Sequence, residues 1–262
     1  MQLAFNNGAA LILGGSSDIG LATAGMLIKK GVPVCLTASS EQSMCRIRQT
    51  FVVQEQTCPP VIIADLKNAD AADTLPEAAT DALEKAYGSS LSLSYLLDLA
   101  QTDYETLIAA AEPEMISSYI AANIAWRGRM LRAASRAMLR ARYGRMVFVS
   151  STAAVLPNAG QGMYSAAKQA SEALYRSIGV ELAPRGVTTC ALRLGYADAG
   201  RGAGYLHKND NGRQEQITAR IPLGRAVTIT EAVSTLLFLL SDNACAINAT
   251  TITMDGGLTA CK

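Results

Sequence analysis

The sequence predicts a single α/β domain in which a parallel sheet of about seven strands carries helices on both faces. Short apolar runs alternate with longer helical patterns, the apolar runs are continuous, and no repeat or linker divides the 262 residues. Continuous apolar strands are typical of a parallel sheet that is buried on both faces. About 250 residues is an ordinary length for one α/β domain. We therefore predict one doubly wound, Rossmann-like domain over residues 1–262.

The strands and helices are predicted in alternating order. The strands are Ala9–Leu13, Val32–Thr37, Val61–Ala64, Leu93–Leu97, Met146–Ser150, Thr188–Leu192 and Thr250–Met254. The helices lie near residues 19–30, 68–87, 113–142, 163–183 and 230–241. Ligands bind at the carboxyl ends of the strands in such a sheet, so the functional residues are expected there.

Composition and charge exclude several classes of protein. The 23 Lys and Arg residues against 22 Asp and Glu give a net charge of +1, too little for a main partner that is nucleic acid. No apolar run approaches the roughly 18 residues that span a bilayer, and the N-terminus lacks the basic region of a signal peptide. Six cysteines without a CxxC pair and one histidine, His207, predict no metal site. We expect a cytoplasmic protein without membrane or nucleic-acid partners.

A glycine-rich turn joins the first predicted strand to the first helix. It reads Leu13-Gly14-Gly15-Ser16-Ser17-Asp18-Ile19-Gly20. Glycines let the backbone approach a pyrophosphate, and the following helix N-terminus offers unpaired N–H groups and a partial positive charge. The strand before and the helix after favour a dinucleotide site over a simple connecting turn. Asp18 is interpreted as a helix cap, because its charge would otherwise oppose a nearby phosphate.

A tyrosine and a lysine four residues apart form the second candidate site. At this spacing Tyr164 and Lys168 lie on one helix face, where the ammonium favours the tyrosinate form. Ser151 follows the fifth predicted strand and precedes Tyr164 by thirteen residues, and Asn123 precedes Ser151 by twenty-eight. The pattern YxxxK alone is common by chance. Together with the glycine turn it indicates a catalytic site.

With these motifs the sequence resembles the short-chain dehydrogenase/reductase family over nearly the whole chain, and within it the β-ketoacyl-carrier-protein reductases. The family's TGxxxGIG turn corresponds to residues 13–20, and its tetrad to Asn123, Ser151, Tyr164 and Lys168. The resemblance implies hydride transfer between a nicotinamide cofactor and a carbonyl or alcohol carbon. Tyr164 would donate the proton, Ser151 would polarise the oxygen, and Lys168 would assist Tyr164 and hold ribose hydroxyls. Asn123 would anchor a water that reconnects Lys168 to solvent.

The candidate cofactor contacts combine the turn with residues that the resemblance implies. They are Gly14, Ser16, Ser17, Asp18, Ile19, Ser39, Asp65, Leu66, Ala100, Tyr164, Lys168, Gly195 and Ala197. Three motifs depart from the family pattern. The family's NNAG is Asp98-Leu99-Ala100-Gln101, its Pro-Gly is Leu194-Gly195, and its following threonine is missing from Tyr196–Ala199. These changes concern the seating of the cofactor rather than proton transfer.

The end of the second strand favours NADP(H) over NAD(H). Enzymes that use NAD usually place a carboxylate there to accept a hydrogen bond from the ribose 2′-hydroxyl. Ala38 and Ser39 carry no carboxylate, so nothing there repels a 2′-phosphate. Ser39, Ser40 and Arg46 are the candidates for binding it.

Arginines are concentrated in and after the helix predicted at 113–142. The seven are Arg127, Arg129, Arg132, Arg136, Arg140, Arg142 and Arg145. Four of them, from 129 to 140, lie within about 80° on a helix. One interpretation is a solvated face, or ion pairs across a subunit boundary. The other is a docking surface for an acidic carrier protein, with Arg129, Arg136, Arg142 and Arg185 as candidates, the last two by resemblance.

Three functions stay open at this point. The first is an NADP(H)-dependent ketoreductase that acts on a β-ketoacyl or related carbonyl, as a small molecule or bound to a carrier protein. The second is an NAD(P)-dependent alcohol or sugar dehydrogenase. The third is a non-catalytic dinucleotide-binding subunit, which the complete tetrad disfavours.

Two further expectations concern assembly and substrate access. Small residues on the helix over 163–178, with the family resemblance, predict a homo-oligomer, either a tetramer or a dimer. They are Ala166, Ala170 and Ala173, with Leu174 beside them. The segment from Tyr196 to Arg220, which contains His207, is expected to be a lid over the substrate.

Overall fold

The computed structural model describes residues 2–88, 90–200, 204 and 212–260. Its strands are β1 (Ala9–Leu13), β2 (Val34–Ala38), β3 (Val61–Ile63), β4 (Leu93–Asp98), β5 (Gly144–Ser151), β6 (Val187–Leu194) and β7 (Thr250–Met254). They form one parallel sheet in the order β3-β2-β1-β4-β5-β6-β7. The predicted seven-stranded, doubly wound sheet is confirmed. Ten of the 25 residues of the expected lid, 201–203 and 205–211, lie outside the described residues, His207 among them.

The helices of the described residues alternate with the strands. They are α1 (Asp18–Lys29), α2 (Glu41–Val53), α3 (Ala69–Tyr87), α4 (Pro113–Ile120), α5 (Trp126–Ala141), α6 (Gly162–Leu182), α7 (Arg213–Thr218) and α8 (Ile229–Leu240). A π-helical turn, Ala121–Ala125, joins α4 to α5 within the predicted helix at 113–142. Among the described helices, none is long and apolar enough to span a membrane.

Two hydrophobic cores lie on opposite faces of the sheet. On β1, Ala10 and Ile12 belong to one core, whereas Leu11 and Leu13 belong to the other, as the alternation of side chains along a strand requires. The first core is filled mainly by α1, α2 and α8, and the second by α3 and α5. Both faces are therefore covered, which explains the continuous apolar runs of the strands.

Helix α2 was missing from the sequence prediction. Its signals are present: Ser40 accepts a hydrogen bond from the Ser43 N–H as the N-cap, and Ile47 and Phe51 are buried one turn apart. The polar residues between them make the apolar stripe narrow. The missed helix matters because its N-terminus lies at the end of β2, next to the expected nucleotide site.

Candidate active site

The glycine turn lies where the strand order reverses, between β1 and β4. Gly14 has a φ of +70°, and a Cβ atom there would lie 3.0 Å from the Leu99 carbonyl carbon. The Ser17 hydroxyl donates to the Gly14 carbonyl at 2.8 Å and accepts from the Gly20 N–H at 3.2 Å. The N-terminus of α1 is thereby directed toward the carboxyl edge of the sheet, as a dinucleotide site requires. Ser16 is half-buried in the same turn.

Ser17, and not Asp18, caps helix α1, so the interpretation of Asp18 as a cap was wrong. The Asp18 carboxylate pairs with the Arg46 guanidinium at 2.5 Å and accepts from the Gly200 N–H at 3.0 Å. The Ser17 hydroxyl accepts from the Gly20 N–H, whereas Asp18, the first helical residue, contacts Arg46 on α2 instead. The guanidinium offsets the negative charge that would otherwise oppose a bound phosphate.

Three serine hydroxyls cluster at the start of α2. Ser43 Oγ lies 3.1 Å from Ser40 Oγ and 3.3 Å from Ser39 Oγ, and all three belong to exposed hydrogen bonds. They stand at a helix N-terminus, which favours anions. This arrangement has hydroxyl donors and no carboxylate from 38 to 40. It fits a ribose 2′-phosphate.

Asp65 and Leu66 follow β3 at the same edge of the sheet. The Asp65 carboxylate accepts from the Lys67 N–H at 2.9 Å. The Leu66 side chain packs in the hydrophobic core beneath. The Asp65 side chain is thus used in a local turn, and these two residues offer a cofactor mainly their backbone.

The segment after β6 forms the other wall of the nucleotide site. A Cβ atom on Gly195 would lie 2.8 Å from the Asp255 Cα, so only glycine fits where β6 and β7 end together. Ala197 pairs with Val227 in an isolated parallel bridge. Position 194 is leucine where the family has proline, and Gly195 still packs closely against Asp255.

A cleft of about 470 Å³ at the carboxyl edge of the sheet joins the two candidate sites. Of the predicted residues, it is lined by Ser17, Asp18, Ile19, Ser151, Tyr164, Lys168, Gly195 and Ala197. The remaining predicted residues, Gly14, Ser16, Ser39, Asp65, Leu66, Ala100 and Asn123, are not among its lining. The structure therefore brings three of the four tetrad residues to the nucleotide turn in one cavity.

Lys168 is a buried base beside Tyr164. Its Nζ donates to the Val149 carbonyl at 2.8 Å and lies 5.6 Å from the Tyr164 ring centre. Burial is the first cause that lowers the pKa of Lys168, to about 7, and the positive charge of Arg127 is the second. The lysine can therefore gain or lose a proton near neutral pH. Ser151 Oγ, at the end of β5, accepts from the Ala153 N–H at 3.2 Å.

Asn123 lies beneath the cleft, in the π-helical turn. Its Nδ2 donates to Thr102 Oγ1 at 2.6 Å and to the Tyr119 carbonyl at 2.9 Å, and its Oδ1 accepts from the Thr102 N–H at 3.0 Å. The side chain thus ties the π turn to the segment after β4. The Asn123 carbonyl accepts a hydrogen bond from the Arg127 guanidinium.

The sequence analysis missed a buried ion pair under the site. Arg127 Nε donates to Asp98 Oδ2 at 2.6 Å, and both side chains are at most 1% exposed. Asp98 also accepts from the Tyr175 hydroxyl at 3.1 Å and from the Ala100 N–H at 3.0 Å. Arg127 was grouped with the surface arginines, and that interpretation was wrong for it. The signal was available: a carboxylate at the end of a buried strand needs a charged partner.

A second buried network was also missed. Glu172 on α6 accepts from the Ser150 hydroxyl at 2.6 Å and from Arg193 Nη2 at 2.5 Å. It joins the ends of β5 and β6 to the helix that carries Tyr164. The Glu172–Arg193 pair holds α6 against the sheet directly, and the Asp98–Arg127 pair contacts the same helix through Tyr175 and Ser171.

The docking candidates do not line the cleft. Arg129 pairs with Asp73 at 2.5 Å and with Asp70 at 3.1 Å, on helix α3. Arg142 and Arg185 precede β5 and β6, at the amino edge of the sheet and opposite to the cleft. Arg136 is exposed on α5. Arg129 is thus paired within its own chain rather than across a subunit boundary, and the other three are surface residues away from the protomer's own cleft.

Comparisons with known proteins agree with this geometry. A family model described as Enoyl-(Acyl carrier protein) reductase matches residues 14–259. The 3-oxoacyl-[acyl-carrier-protein] reductase FabG of Escherichia coli is 27% identical over 254 residues, which cover 97% of this chain and 98% of that protein. The 3-oxoacyl-[acyl-carrier-protein] reductase of Synechocystis sp. is 28% identical over 250 residues, which cover 95% and 96%.

Solved structures share the fold at lower identity. Levodione reductase superposes with a TM-score of 0.86 at 21% identity, over 98% of this chain and 100% of that one. A gluconate 5-dehydrogenase from Burkholderia cenocepacia, in complex with NADP and tartrate, has a TM-score of 0.83 at 21% identity, over 98% and 97%. The matches span the whole length of both chains in each comparison.

Proposed function

The chain belongs to the short-chain dehydrogenase/reductase family of NAD(P)-dependent oxidoreductases that act on CH–OH or C=O groups, and on that premise we propose that it is an NADP(H)-dependent ketoreductase for a β-ketoacyl or related carbonyl. One observation carries the proposal: Ser151, Tyr164 and Lys168 line the same cleft as the nucleotide turn. The full-length similarity to 3-oxoacyl reductases supports the choice of carbonyl.

The preference for NADP(H) is supported by the surface at the end of β2. Ser39, Ser40 and Ser43 offer hydroxyls at the N-terminus of α2. Arg46 on the same helix pairs with Asp18, which lies in the glycine-rich turn. The turn at Gly14 and the N-terminus of α1 fit the pyrophosphate. When bound, the cofactor supplies the hydride.

The protein residues supply the proton and hold the carbonyl. The Tyr164 hydroxyl donates its proton to the carbonyl oxygen, and the Ser151 hydroxyl donates a hydrogen bond to the same oxygen. Lys168 Nζ lies 5.6 Å from the centre of the Tyr164 ring, where its ammonium favours the tyrosinate that the proton transfer leaves. General acid catalysis of this kind contributes about 10²–10⁴-fold.

The substrate side of the cleft is mixed in character. Its apolar lining includes Leu156, Tyr196 and Leu258, which suits a short acyl chain. Its polar lining is Gln101, Asp103, Asn158, Gln161 and Arg220. This polar set favours the second candidate, an alcohol or sugar dehydrogenase whose substrate carries several hydroxyl groups.

Assembly and location belong to the same proposal. Ala166 and Ala173 are exposed on α6, and Val180 on the same helix is 66% exposed, which suits packing against a second copy. We propose a homo-oligomer, a tetramer or a dimer. The five cysteines of the described residues are free thiols, which suits the reducing cytoplasm.

Replacing Tyr164 with Phe tests the proposed chemistry. Tyr164→Phe should lower kcat at least about a hundredfold, because it removes the acid and leaves the rest of the cleft unchanged. NADPH binding, followed by nucleotide fluorescence, should stay within about twofold. The matched control, Tyr196→Phe, removes a phenol from the same cleft and should keep its turnover. The assays use β-ketoacyl thioesters, simple ketones and polyols with both nucleotides. If Tyr164→Phe keeps near-wild-type turnover on the best substrate, the assignment is wrong.

A further inference from the structure

The guanidinium of Arg127 connects three segments that surround Lys168. From α5 it reaches Asp98 and the Ala100 carbonyl, at 2.6 and 2.5 Å, in the segment where β4 ends. It also donates to the Asn123 carbonyl in the π turn and to Ser171 Oγ on α6, the latter at 2.9 Å. A single buried side chain therefore satisfies four acceptors.

Ser171 carries this connection to the lysine. Its hydroxyl donates to the Ala167 carbonyl at 2.7 Å, one turn of α6 away and adjacent in sequence to Lys168. Arg127 Cζ and Lys168 Nζ lie 4.9 and 4.8 Å from the centre of the same aromatic ring, that of Phe148. Two cations thus share one buried compartment, where charges act on each other more strongly than in water.

We propose that the Asp98–Arg127 pair is a positioning device for Lys168, in which the guanidinium fixes the segments around the lysine and the balance of the two charges sets how readily its ammonium releases a proton. Arg127 and Asp98 do not line the cleft. They act through Lys168 and are positioning residues rather than catalytic ones. The inference rests on the role of Lys168 in the proposed function.

Four charged or titratable groups lie around Lys168. Asp98 at the end of β4 and Glu172 on α6 favour its charged form, whereas Arg127 on α5 opposes it. Tyr164 lies on the same helix, with its ring 5.6 Å away. Arg127 has the larger effect of the pair, so the two charges do not cancel at Lys168.

Because Asp98 and Arg127 carry opposite charges, removing one or the other should shift the pKa of Lys168 in opposite directions. Asp98→Asn keeps the shape of the acceptor, removes the carboxylate and should make Lys168 release its proton at lower pH. Arg127→Met removes the cation and should make the lysine hold its proton to higher pH. A role in folding alone predicts no such opposition, because both changes would simply loosen the site.

The experiment titrates Lys168 directly in the unliganded protein. The chain has only seven lysines, so the ¹³Cε resonances of labelled lysine can be followed by NMR from pH 5 to 10, with Lys168→Arg to assign the signal. We expect the midpoint to fall by half a unit or more in Asp98→Asn and to rise by half a unit or more in Arg127→Met, about threefold in proton affinity. The double variant should lie between the two single variants. Arg129→Met, on the same helix but paired with α3, is the control and should not move it.

The outcomes are distinct. If Arg127→Met does not fold, Asp98→Asn and the double variant decide, since Asp98→Asn leaves the guanidinium its three other acceptors and the double variant leaves neither charge. Shifts of the same sign in both variants, or no shift in folded variants, overturn the proposal. The alkaline limb of kcat in the reductive direction should follow the NMR midpoints. An enzyme without carbonyl reductase activity would refute the proposed function and leave the NMR titration as an independent result.

Discussion

Two aspartate–arginine pairs border the candidate site, and they differ in burial rather than in distance. Asp98 and Arg127 are 2.6 Å apart and at most 1% exposed, whereas Asp18 and Arg46 are 2.5 Å apart and 36% and 55% exposed. A buried pair that loses one partner leaves an uncompensated charge in a medium of low dielectric constant. An exposed pair loses little, because water replaces the partner. Two ion pairs of nearly equal length therefore differ greatly in what the loss of one partner costs the free energy of unfolding.

The difference suits the two positions. The buried pair also holds the Ala100 and Asn123 carbonyls and Ser171, so it is fixed whether or not a cofactor is bound. The exposed pair lies at the nucleotide turn, where Arg46 can leave Asp18 for a stronger acceptor. One pair belongs to the framework of the site and the other is free to respond to its ligand.

The largest expected effect is on stability. Arg127→Met should lower the free energy of unfolding by about 3–5 kcal/mol, because it leaves the Asp98 carboxylate buried without its cation. Arg46→Met should lower it by at most about 1 kcal/mol. Urea denaturation of both variants against the wild type measures the difference.

The double variant Asp98→Asn/Arg127→Met is the control for this comparison. It removes both charges and should recover much of the loss, since the cost comes from the unpaired carboxylate. If Arg127→Met and Arg46→Met lower the free energy of unfolding by the same amount, burial does not make the two pairs energetically different.

Lys168 extends the comparison to a buried cation whose hydrogen-bond acceptor is a neutral carbonyl. Its pKa falls from the ordinary 10.5 to about 7 in the folded chain, mainly because of burial. Between pH 7 and 10.5 the unfolded chain therefore binds more protons, so the stability of the wild type should rise with pH across this window. Lys168→Met should be more stable than the wild type at pH 6, by up to about 5 kcal/mol at about 1.4 kcal/mol per pKa unit.

Denaturation at pH 6 and pH 9.5 checks this prediction. The advantage of Lys168→Met should shrink toward the higher pH, where the wild-type lysine is neutral in the folded state. The variant should have lost its turnover at both values. An advantage of the same size at both pH values would mean that Lys168 is charged in the folded state throughout and would contradict the prediction.

A smaller effect is expected at the exposed pair. Arg46→Met should weaken NADPH binding roughly tenfold, about 1.4 kcal/mol, and leave NADH binding within twofold, because only NADPH carries the 2′-phosphate. Arg48→Met is the matched control, since it removes an exposed arginine two residues away on α2. Titration of both nucleotides by fluorescence gives the four dissociation constants. Equal losses for NADPH and NADH would exclude Arg46 as the phosphate ligand.

The sequence predicted the parts of this site that follow from local pattern. The sheet, the turn at Gly14 and the shared face of Tyr164 and Lys168 depend on periodicity and spacing, which are visible in a single chain. The Asp98–Arg127 pair depends on tertiary packing over 29 residues of chain. At about 100° per residue Arg127 lies on the side of the helix opposite to the arginines from 129 to 140, but spacing does not identify Asp98 as its partner.

The same limit applies to smaller features. Serine and aspartate are both good N-cap residues, so the sequence did not decide between the two neighbours. In the structure the cap of α1 is Ser17, one residue before Asp18. The π turn at Asn123 shows no composition signal that distinguishes it from an α-helix. In each case a boundary or a partner was missed, while the element itself was predicted.

The smallest effect is expected from two exposed arginines near Arg127 in sequence, Arg136 on α5 and Arg142 directly after it. Reversing Arg136 and Arg142 to Glu should change KM for a small soluble β-ketoacyl thioester by less than about twofold. Both charges are exposed, and fields at the surface are screened over about 8 Å at physiological salt. Arg142 also precedes β5, so it lies roughly 25 Å from the cleft by the usual rise of a strand.

A carrier-linked form of the same thioester separates the two interpretations of these arginines. On the observed geometry we expect its KM to change by less than about threefold, as for a solvated face. A docking surface would instead raise it tenfold or more at low salt, and the effect would fade as salt increases, because an acidic carrier is attracted by long-range charge. Sedimentation of the variant comes first, since a changed assembly would alter both substrates equally. A rise confined to the carrier-linked substrate in an intact assembly would show that these arginines bind a carrier, despite lying away from the cleft of their own protomer.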